Sequence, residues 1–372
     1  MSPVFGWDVG GAHVKVACIE DGRLRDVAQW SCPLWQGLEH LRGAIEQAGL
    51  RWPALRDARH AVTMTGEMVD LFADREQGVR AIVATLAQAL RGPLAVCAVG
   101  ERDEALRWID AADAPRHWPA VASANWLATA ALAARAVGEG VLVDIGSTTC
   151  DLIALGEGAR VLARGRSDAE RLAADELVYQ GVVRTPLMAL GPRIVWRGVP
   201  HQVMNEWFAT TADVYRLTSE LDPAHDQQPT ADNAGKDLPA TRRRLARMIG
   251  RDAREAPDAD WLAFAHAWRA RQCERIGEAL ERVLSVAPIA RDAPLVAAGC
   301  GAFLVESLAL RMGRPSRSFA AQAVPLHDGA GDDVPRWAQV CAPAVAVGLL
   351  YAALAEPTPA TRATKELQAC GS

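Results

Sequence analysis

Two acidic residues, Asp8 and Asp144, stand at the same place in a repeated pattern. Residues 5–22 and 141–158 align without a gap when Asp8 is set on Asp144. Gly10 then falls on Gly146, and Asp21-Gly22 falls on Glu157-Gly158. Each copy reads as an apolar strand, an acid-X-Gly turn, a second apolar strand and an acid-Gly turn. Gly10, Gly11 and Gly146 permit a tight turn and close backbone approach. Small or hydroxylated residues follow them: Ala12 in the first copy, Ser147, Thr148 and Thr149 in the second. Backbone N–H groups and hydroxyls in such a turn form a nest for phosphate oxygens. An Asp beside phosphate is repulsive without a cation between them. Asp8 and Asp144 therefore read as magnesium-side ligands, direct or through water. Lys15 and His13 are placed to add positive charge from the first hairpin. The plainer reading is two ordinary hairpins with turn-forming Asp and Gly. Two copies in register, one continuing Ser-Thr-Thr-X-Asp151, argue against it.

The elements that must position these tips can be read around them. Strands at about 3–9, 13–20 and 24–30 form a meander. A helix follows near 35–49, with Leu38, Leu41 and Ile45 on one face. His60–Gly66 reads as a buried strand, 74–91 as a helix and Pro93–Gly100 as another buried strand. Residues 120–137 are rich in Ala, which lets a helix pack closely on a neighbour. Gly138-Glu-Gly140 marks a boundary before the second meander. Ala169–Gly181 looks helical. Residues 222–240, rich in Pro, Asp, Gln, Asn and Gly, read as a loop or mobile insertion. Residues 260–287 form an amphipathic helix. Leu295–Gly299 is a strand running into Gly299-Cys-Gly301, a third glycine turn suited to close contact with a ligand. A last Ala- and Gly-rich helix follows near 341–355.

The 372-residue length allows two or three domains, and 50% hydrophobic content with 23% charge describes an ordinary globular chain. A net charge of −5 gives no basic field for nucleic acid. Eight cysteines are scattered without a C-X-X-C pair or zinc spacing, which predicts small buried side chains in a reducing compartment. The chain begins without a basic, apolar leader, and the most apolar stretch, Val340–Ala355, is shorter than a bilayer span and contains Pro343. A cytoplasmic protein without membrane contact is expected.

In this order the pieces resemble the superfamily of acetate and sugar kinases, Hsp70 and actin. Asp8-Val-Gly10-Gly11 is similar to its first phosphate motif and Asp144–Asp151 to its second. Gly299-Cys-Gly301 is similar to its adenosine-side motif, and the two Ala-rich helices to its connecting helices. The resemblance implies an α/β, actin-like (ribonuclease H-like) fold of two lobes about a central cleft. The first lobe would cover 1–137 and be joined by a C-terminal helix at 340–356. The second would cover 138–339 and carry a polar insertion at about 220–240.

A narrower resemblance rests on five runs: residues 6–15, Thr63-Met-Thr-Gly-Glu67, Asp144–Asp151, Glu176–Pro186 and Phe208–Tyr215. Together they resemble the hydantoinase/oxoprolinase-related proteins of the tetrahydromethanopterin-linked one-carbon pathway. Archaeal relatives in that group are synthases of the phenoxymethyl-furan core of methanofuran. The resemblance implies that an aminomethyl-furan-methanol diphosphate is attacked by the phenol of a tyramine or tyrosine derivative, with loss of diphosphate. Such a leaving group needs glycine turns, hydroxyls and Mg2+. Glu67, Asp151 and Asp213 are the candidate bases from the matching motifs. Arg184 is suited to hold a phosphate or carboxylate bidentately. His13 is either an acid to diphosphate or a packing residue. Thr65, Thr185, Gly299 and Gly301 are the nucleotide- or substrate-side candidates, with Thr65 and Thr185 equally readable as turn caps.

Other readings stay open at this stage. An ATP-dependent small-molecule kinase is the default chemistry of the fold, and Gly299 favours it; whether ATP binds is undecided. A nucleotide-switched scaffold and a hydantoin- or oxoproline-cleaving amidohydrolase are the others. The expected partners are small molecules, with a homodimer left open.

Overall fold

The computed structural model describes residues 2–100 and 106–354. The chain divides into two compact units, one of residues up to Leu132 together with those from Val324, the other Ala133–Ala323.

In the first unit β1 (Val4–Val9), β2 (His13–Glu20) and β3 (Arg23–Ser31) form the antiparallel meander. The β2–β3 turn is the two-residue Asp21-Gly22, both with positive φ, as a type I′ hairpin turn requires. Next come α1 (Glu39–Arg51), β4 (Arg59–Met64), α2 (Arg75–Ala89), β5 (Leu94–Val99) and β6 (Leu106–Asp110). The sheet order is β3-β2-β1-β4-β5-β6, with β4 parallel to β1 and β5 parallel to β4. Alternation along β1 sends Phe5, Trp7 and Val9 into a core shared with Leu41, Ile45, Val79, Ile82 and Leu86. Gly6 and Asp8 therefore face the other way.

A short α3 (Trp118–Val121) precedes α4 (Asn125–Val137). The single helix expected over 120–137 is broken, because Ser123 has a positive φ and the two pieces are bent by 66°. The second unit's hairpin is β7 (Gly140–Ile145) and β8 (Cys150–Gly156), followed by β9 (Arg160–Val161). Its β8–β9 turn is one residue longer than that of the first unit, with positive φ at Gly158 and Ala159. The helix expected over 169–181 is only α5 (Asp168–Ala173), opened by a Ser167–Glu170 capping box. A positive φ at Asp175 ends it, and the chain becomes β10 (Leu177–Val178).

A separate hairpin, β11 (Arg193–Trp196) and β12 (Val199–Gln202), leads to α6 (Thr211–Leu217), α7 (Leu238–Arg247) and the long α8 (Asp258–Val286). Then follow β13 (Leu295–Ala298), α9 (Val305–Met312), β14 (Ser316–Ser318) and α10 (Phe319–Ala323). The sheet order is β10-β8-β7-β13-β14, with β13 parallel to β7. Meander, then parallel strands beyond the first strand, is the actin-like (ribonuclease H-like) order, and each unit has it.

The segment between α6 and α7 is a loop, as its composition predicts, apart from a 3-10 turn at Pro223–His225. Asp226, 4% exposed in its side chain, accepts from Arg216 and Lys236, and Asp232 accepts from Arg244. Buried charge organises it in place of apolar side chains.

The chain returns to the first unit, where Leu24 N–H donates to the Pro325 carbonyl. It ends in α11 (Val334–Val340) and α12 (Ala342–Ala353); residues 355–356 of the expected helix lie outside the described residues. Helix α12 lies against β1, β2 and β4. A Cβ on Gly6 would come within 2.1 Å of the Ala344 carbonyl oxygen, so glycine there lets helix and strand backbones touch. No single helix among the described residues is long and apolar enough to cross a membrane; Ala114–Val121 and Asn125–Val137 together reach that length and apolarity only as a bent pair.

Candidate active site

The first hairpin tip is built by three strand ends. Asp8 pairs in register with Lys15 on β2 and with Thr63 on β4, so the three share one face of the sheet. Lys15 Nζ lies 3.3 Å from Asp8 Oδ2, while the buried Asp8 Oδ1 has no hydrogen-bond partner. Burial pushes the Asp8 carboxyl above the ordinary aspartate range, and Lys15 pulls it back. The turn closes through Gly10 N–H to the carbonyl of His13, whose side chain is buried. Gly11 accepts from Leu34 N–H, and Thr65 N–H donates to the Val9 carbonyl. Thr65 thus brings the 63–67 run onto the Gly10 turn, where its Oγ1 lies 3.6 Å from a Cβ built on Gly10. Glu67 is fully buried, accepting from Ser123 Oγ at 2.9 Å.

The second tip carries a different charge. Asp144 pairs in register with Asp151, the position that Lys15 holds in the first copy. Two carboxylates side by side on one sheet face repel. Arg171 from α5 answers them, with Nη2 2.5 Å from Asp151 Oδ1 and a side chain 2% exposed. Gly146, Ser147, Thr148 and Thr149 are half-buried, and Gly146 N–H closes the turn on the Thr149 carbonyl. The run 181–184 straps this tip from behind. Val182 N–H donates to the Gly146 carbonyl, and the N–H groups of Val183 and Arg184 both donate to that of Ser147. Arg184 Nη1 is 3.5 Å from Thr148 Oγ1, and burial lowers the Arg184 guanidinium pKa.

Gly299 and Gly301 belong to this tip. Gly299 has φ +82°, and a Cβ there would lie 2.2 Å from the Ile145 carbonyl oxygen and 2.6 Å from Asp144 Oδ1. Gly301 N–H donates to that same carbonyl at 2.8 Å. The two glycines are what packing against Asp144 requires, whether or not a nucleotide comes near.

Thr185 Oγ1 accepts from Gly181 N–H, a turn-capping role. Asp213 does not reach the tip with its carboxylate. It is fully buried, caps α6 at Thr210 and takes Arg216 and Arg244 at 2.7 and 2.8 Å. Burial still pushes its pKa up against both arginines.

Sequence reasoning missed Gly181 and Gln272 as parts of the site. A Cβ on Gly181 would meet Ser147 C and Thr148 N at 2.3 Å. Its carbonyl accepts from Thr211 Oγ1 at 2.8 Å and Gln272 Nε2 at 3.0 Å, and Gln272 Oε1 accepts from Tyr215 Oη at 2.6 Å. The signal was present: Gln272 sits at helical spacing on the stripe of Trp261, Ala265, Trp268, Ile276 and Leu280, a lone amide on an apolar face.

A two-unit α/β protein with a duplicated glycine-acid hairpin is the class defined by fold and site. The hydantoinase/oxoprolinase family profile matches residues 59–324, and the chain belongs to that family. It is 28% identical over 281 residues to the (4-{4-[2-(gamma-L-glutamylamino)ethyl]phenoxymethyl}furan-2-yl)methanamine synthase of Methanocaldococcus jannaschii, covering 75% of this chain and 81% of that one. The protein of the same name from Methanococcus vannielii is 32% identical over 112 residues, 30% of this chain and 50% of that one. Among solved structures, component A of (R)-2-hydroxyglutaryl-CoA dehydratase from Acidaminococcus fermentans aligns over 95% of this chain and 100% of its own, at 10% identity and TM-score 0.43. A ROK family glucokinase from Streptomyces griseus aligns over 92% and 98%, at 11% identity and TM-score 0.41.

Proposed function

We propose that this chain is a transferase of methanofuran-type cofactor synthesis. It joins an aminomethyl-furan-methanol diphosphate to the phenol of a tyramine or tyrosine derivative and releases diphosphate. The observation that carries the reading is the likeness to the Methanocaldococcus jannaschii synthase over three quarters of the chain. The named product of that relative is an aryl ether between a phenol and a furan-methyl carbon.

The second tip supports it chemically. Half-buried Ser147, Thr148 and Thr149, with the Arg184 guanidinium beside Thr148, bring together the donors that diphosphate oxygens need. The C–O bond to diphosphate breaks with its electron pair on the leaving oxygen, the furan stabilises the cation, and the phenol oxygen closes on the carbon as its proton leaves. Magnesium would be held by few protein oxygens, Asp144 first, and otherwise by water and substrate. Bound there, magnesium supplies charge neutralisation for the departing diphosphate. At the first tip Lys15 already supplies positive charge to Asp8.

The test is direct. The protein is incubated with the furan diphosphate, tyramine or its γ-glutamyl derivative, and Mg2+, without ATP. Diphosphate release with formation of the ether, followed by mass spectrometry, is expected. ATP consumption with phosphate appearing on an alcohol, and no ether, would overturn it.

A further inference from the structure

The second unit has another concave site, built from α8, α9 and the β11–β12 hairpin and sharing no residue with the two glycine tips. It is a pocket of about 620 Å³, a size suited to a small organic ligand. Three arginines line it: Arg193 from β11, Arg271 from α8 and Arg311 from α9. A single acid, Glu274, opposes them there, 2.8 Å from Arg271 Nη1. Arg311 pairs outward with Glu281 at 3.0 Å and is 41% exposed, leaving donors over. Arg193 is exposed and has no ion pair among the described residues.

Two glycines make room for these guanidinium groups. A Cβ on Gly277 would stand 3.2 Å from Arg311 Cζ and Nη1, and one on Gly191 would stand 3.0 Å from Arg271 Nη2. Arg271 is further oriented by its Nε–H donated to the Leu190 carbonyl at 3.2 Å. The remaining wall is apolar, with Val195 and Pro200 from the hairpin and Ala267 from α8. Val195 is 52% exposed, a large apolar side chain facing solvent at the rim.

The geometry points to a second ligand site here, for an organic anion with an apolar body: a phosphate or carboxylate head on the arginines, an aryl or alkyl tail on Val195, Pro200 and Ala267. Guanidinium forks match such heads with paired donors. The apolar wall separates this ligand from bare phosphate. The inference stands apart from the proposed reaction, because no residue of the pocket belongs to that machinery.

Phenyl phosphate and inorganic phosphate are the probes, titrated calorimetrically into the full-length protein. One phenyl phosphate site per chain is expected, with inorganic phosphate at least about tenfold weaker. Arg193→Ala and Arg311→Ala, both surface changes, each weaken phenyl phosphate about tenfold, while Arg193→Lys loses less. Thr148→Ala leaves this binding unchanged. Equal affinity for the two probes overturns the proposal. So does binding lost in Thr148→Ala but kept in the arginine variants, which would assign the anion to the glycine tip.

Discussion

Gln272 Nε2 donates to the Gly181 carbonyl at 3.0 Å, joining the long helix to the 181–184 run that backs the hydroxyl-rich tip. Gly181 is pressed so closely on Ser147 and Thr148 that no side chain fits between them. The tip's position is therefore set by a buried chain of polar groups: Tyr215 to Gln272, Gln272 and Thr211 to Gly181. Gln272→Ala leaves the Tyr215 hydroxyl buried without its acceptor and opens a cavity, costing about 2–4 kcal/mol. Displacement of Ser147 and Thr148 lowers kcat/KM for the diphosphate substrate by roughly ten- to a hundredfold. Tyr215→Phe is the milder change on both counts. Chemical unfolding and steady-state kinetics check this; a Gln272→Ala protein that loses stability yet keeps diphosphate affinity and turnover would sink the positioning role.

The glycine turn at 299–301 gives a sharper comparison. Gly299 and Gly158 both have positive φ, +82° and +68°, so alanine is strained at either. Only at Gly299 would the new Cβ strike backbone, the Ile145 carbonyl, and the Asp144 carboxylate. Nothing lies within 4 Å at Gly158. Gly158→Ala is expected to cost about 1 kcal/mol, and Gly299→Ala several times that, about 3–5 kcal/mol. Thermal melts of the two variants settle it, and equal losses would contradict the close-packing account.

The duplicated hairpins were legible because each copy repeats an apolar strand, an acid-X-Gly turn and a second apolar strand, and the type I′ turn at Asp21-Gly22 is written in residue type; the short strands β6, β10, β11, β12 and β14 were not, since two to five residues carry too little pattern. Breaks within helical composition were not legible. Ser123 and Asp175 take positive φ for tertiary reasons that local propensity does not carry. The opposite charges at Lys15 and Asp151 stood in the sequence, but their meaning needs register: only pairing puts each directly across from the tip acid. Asp213 shows the reverse case. A motif acid that reads as a base is fixed by Arg216 and Arg244, and the second arginine lies thirty-one positions away.

His60 should make stability depend on pH. It is fully buried beside Phe5 and Trp7, and its Nδ1 accepts from Trp7 Nε1 at 3.1 Å, which places the proton of the neutral ring on Nε2. Burial pulls its pKa down from 6.5 to about 4. The unfolded chain then binds the extra proton first, so the contribution is complete above about pH 6.5 and is lost as pH falls toward 4. The full loss across that window is of order 3 kcal/mol. His60→Gln, which keeps an acceptor for Trp7, flattens this part of the profile. Urea midpoints at pH 7.5 and 4.5 measure it, and identical slopes for variant and parent would refute the assignment.

Arg171 and Asp151 form the remaining test. Asp151 lies directly across from Asp144, so removing the arginine leaves two carboxylates on one buried sheet face with no guanidinium between β8 and α5. Arg171→Met is expected to destabilise by about 3–5 kcal/mol, the usual cost of a buried charge left without its partner. Asp151→Asn alone removes the carboxylate beside Arg171 Nη2, which keeps the Glu176 carbonyl at 3.2 Å, and costs a similar amount because the side chain is only 2% exposed. The double variant carries neither charge, and a well-packed Met beside Asn recovers most of the loss. The coupling energy from the four unfolding curves is then larger than either single loss. Simple additivity of the two single losses would mean that Arg171 serves the fold through packing and not by balancing the paired acids.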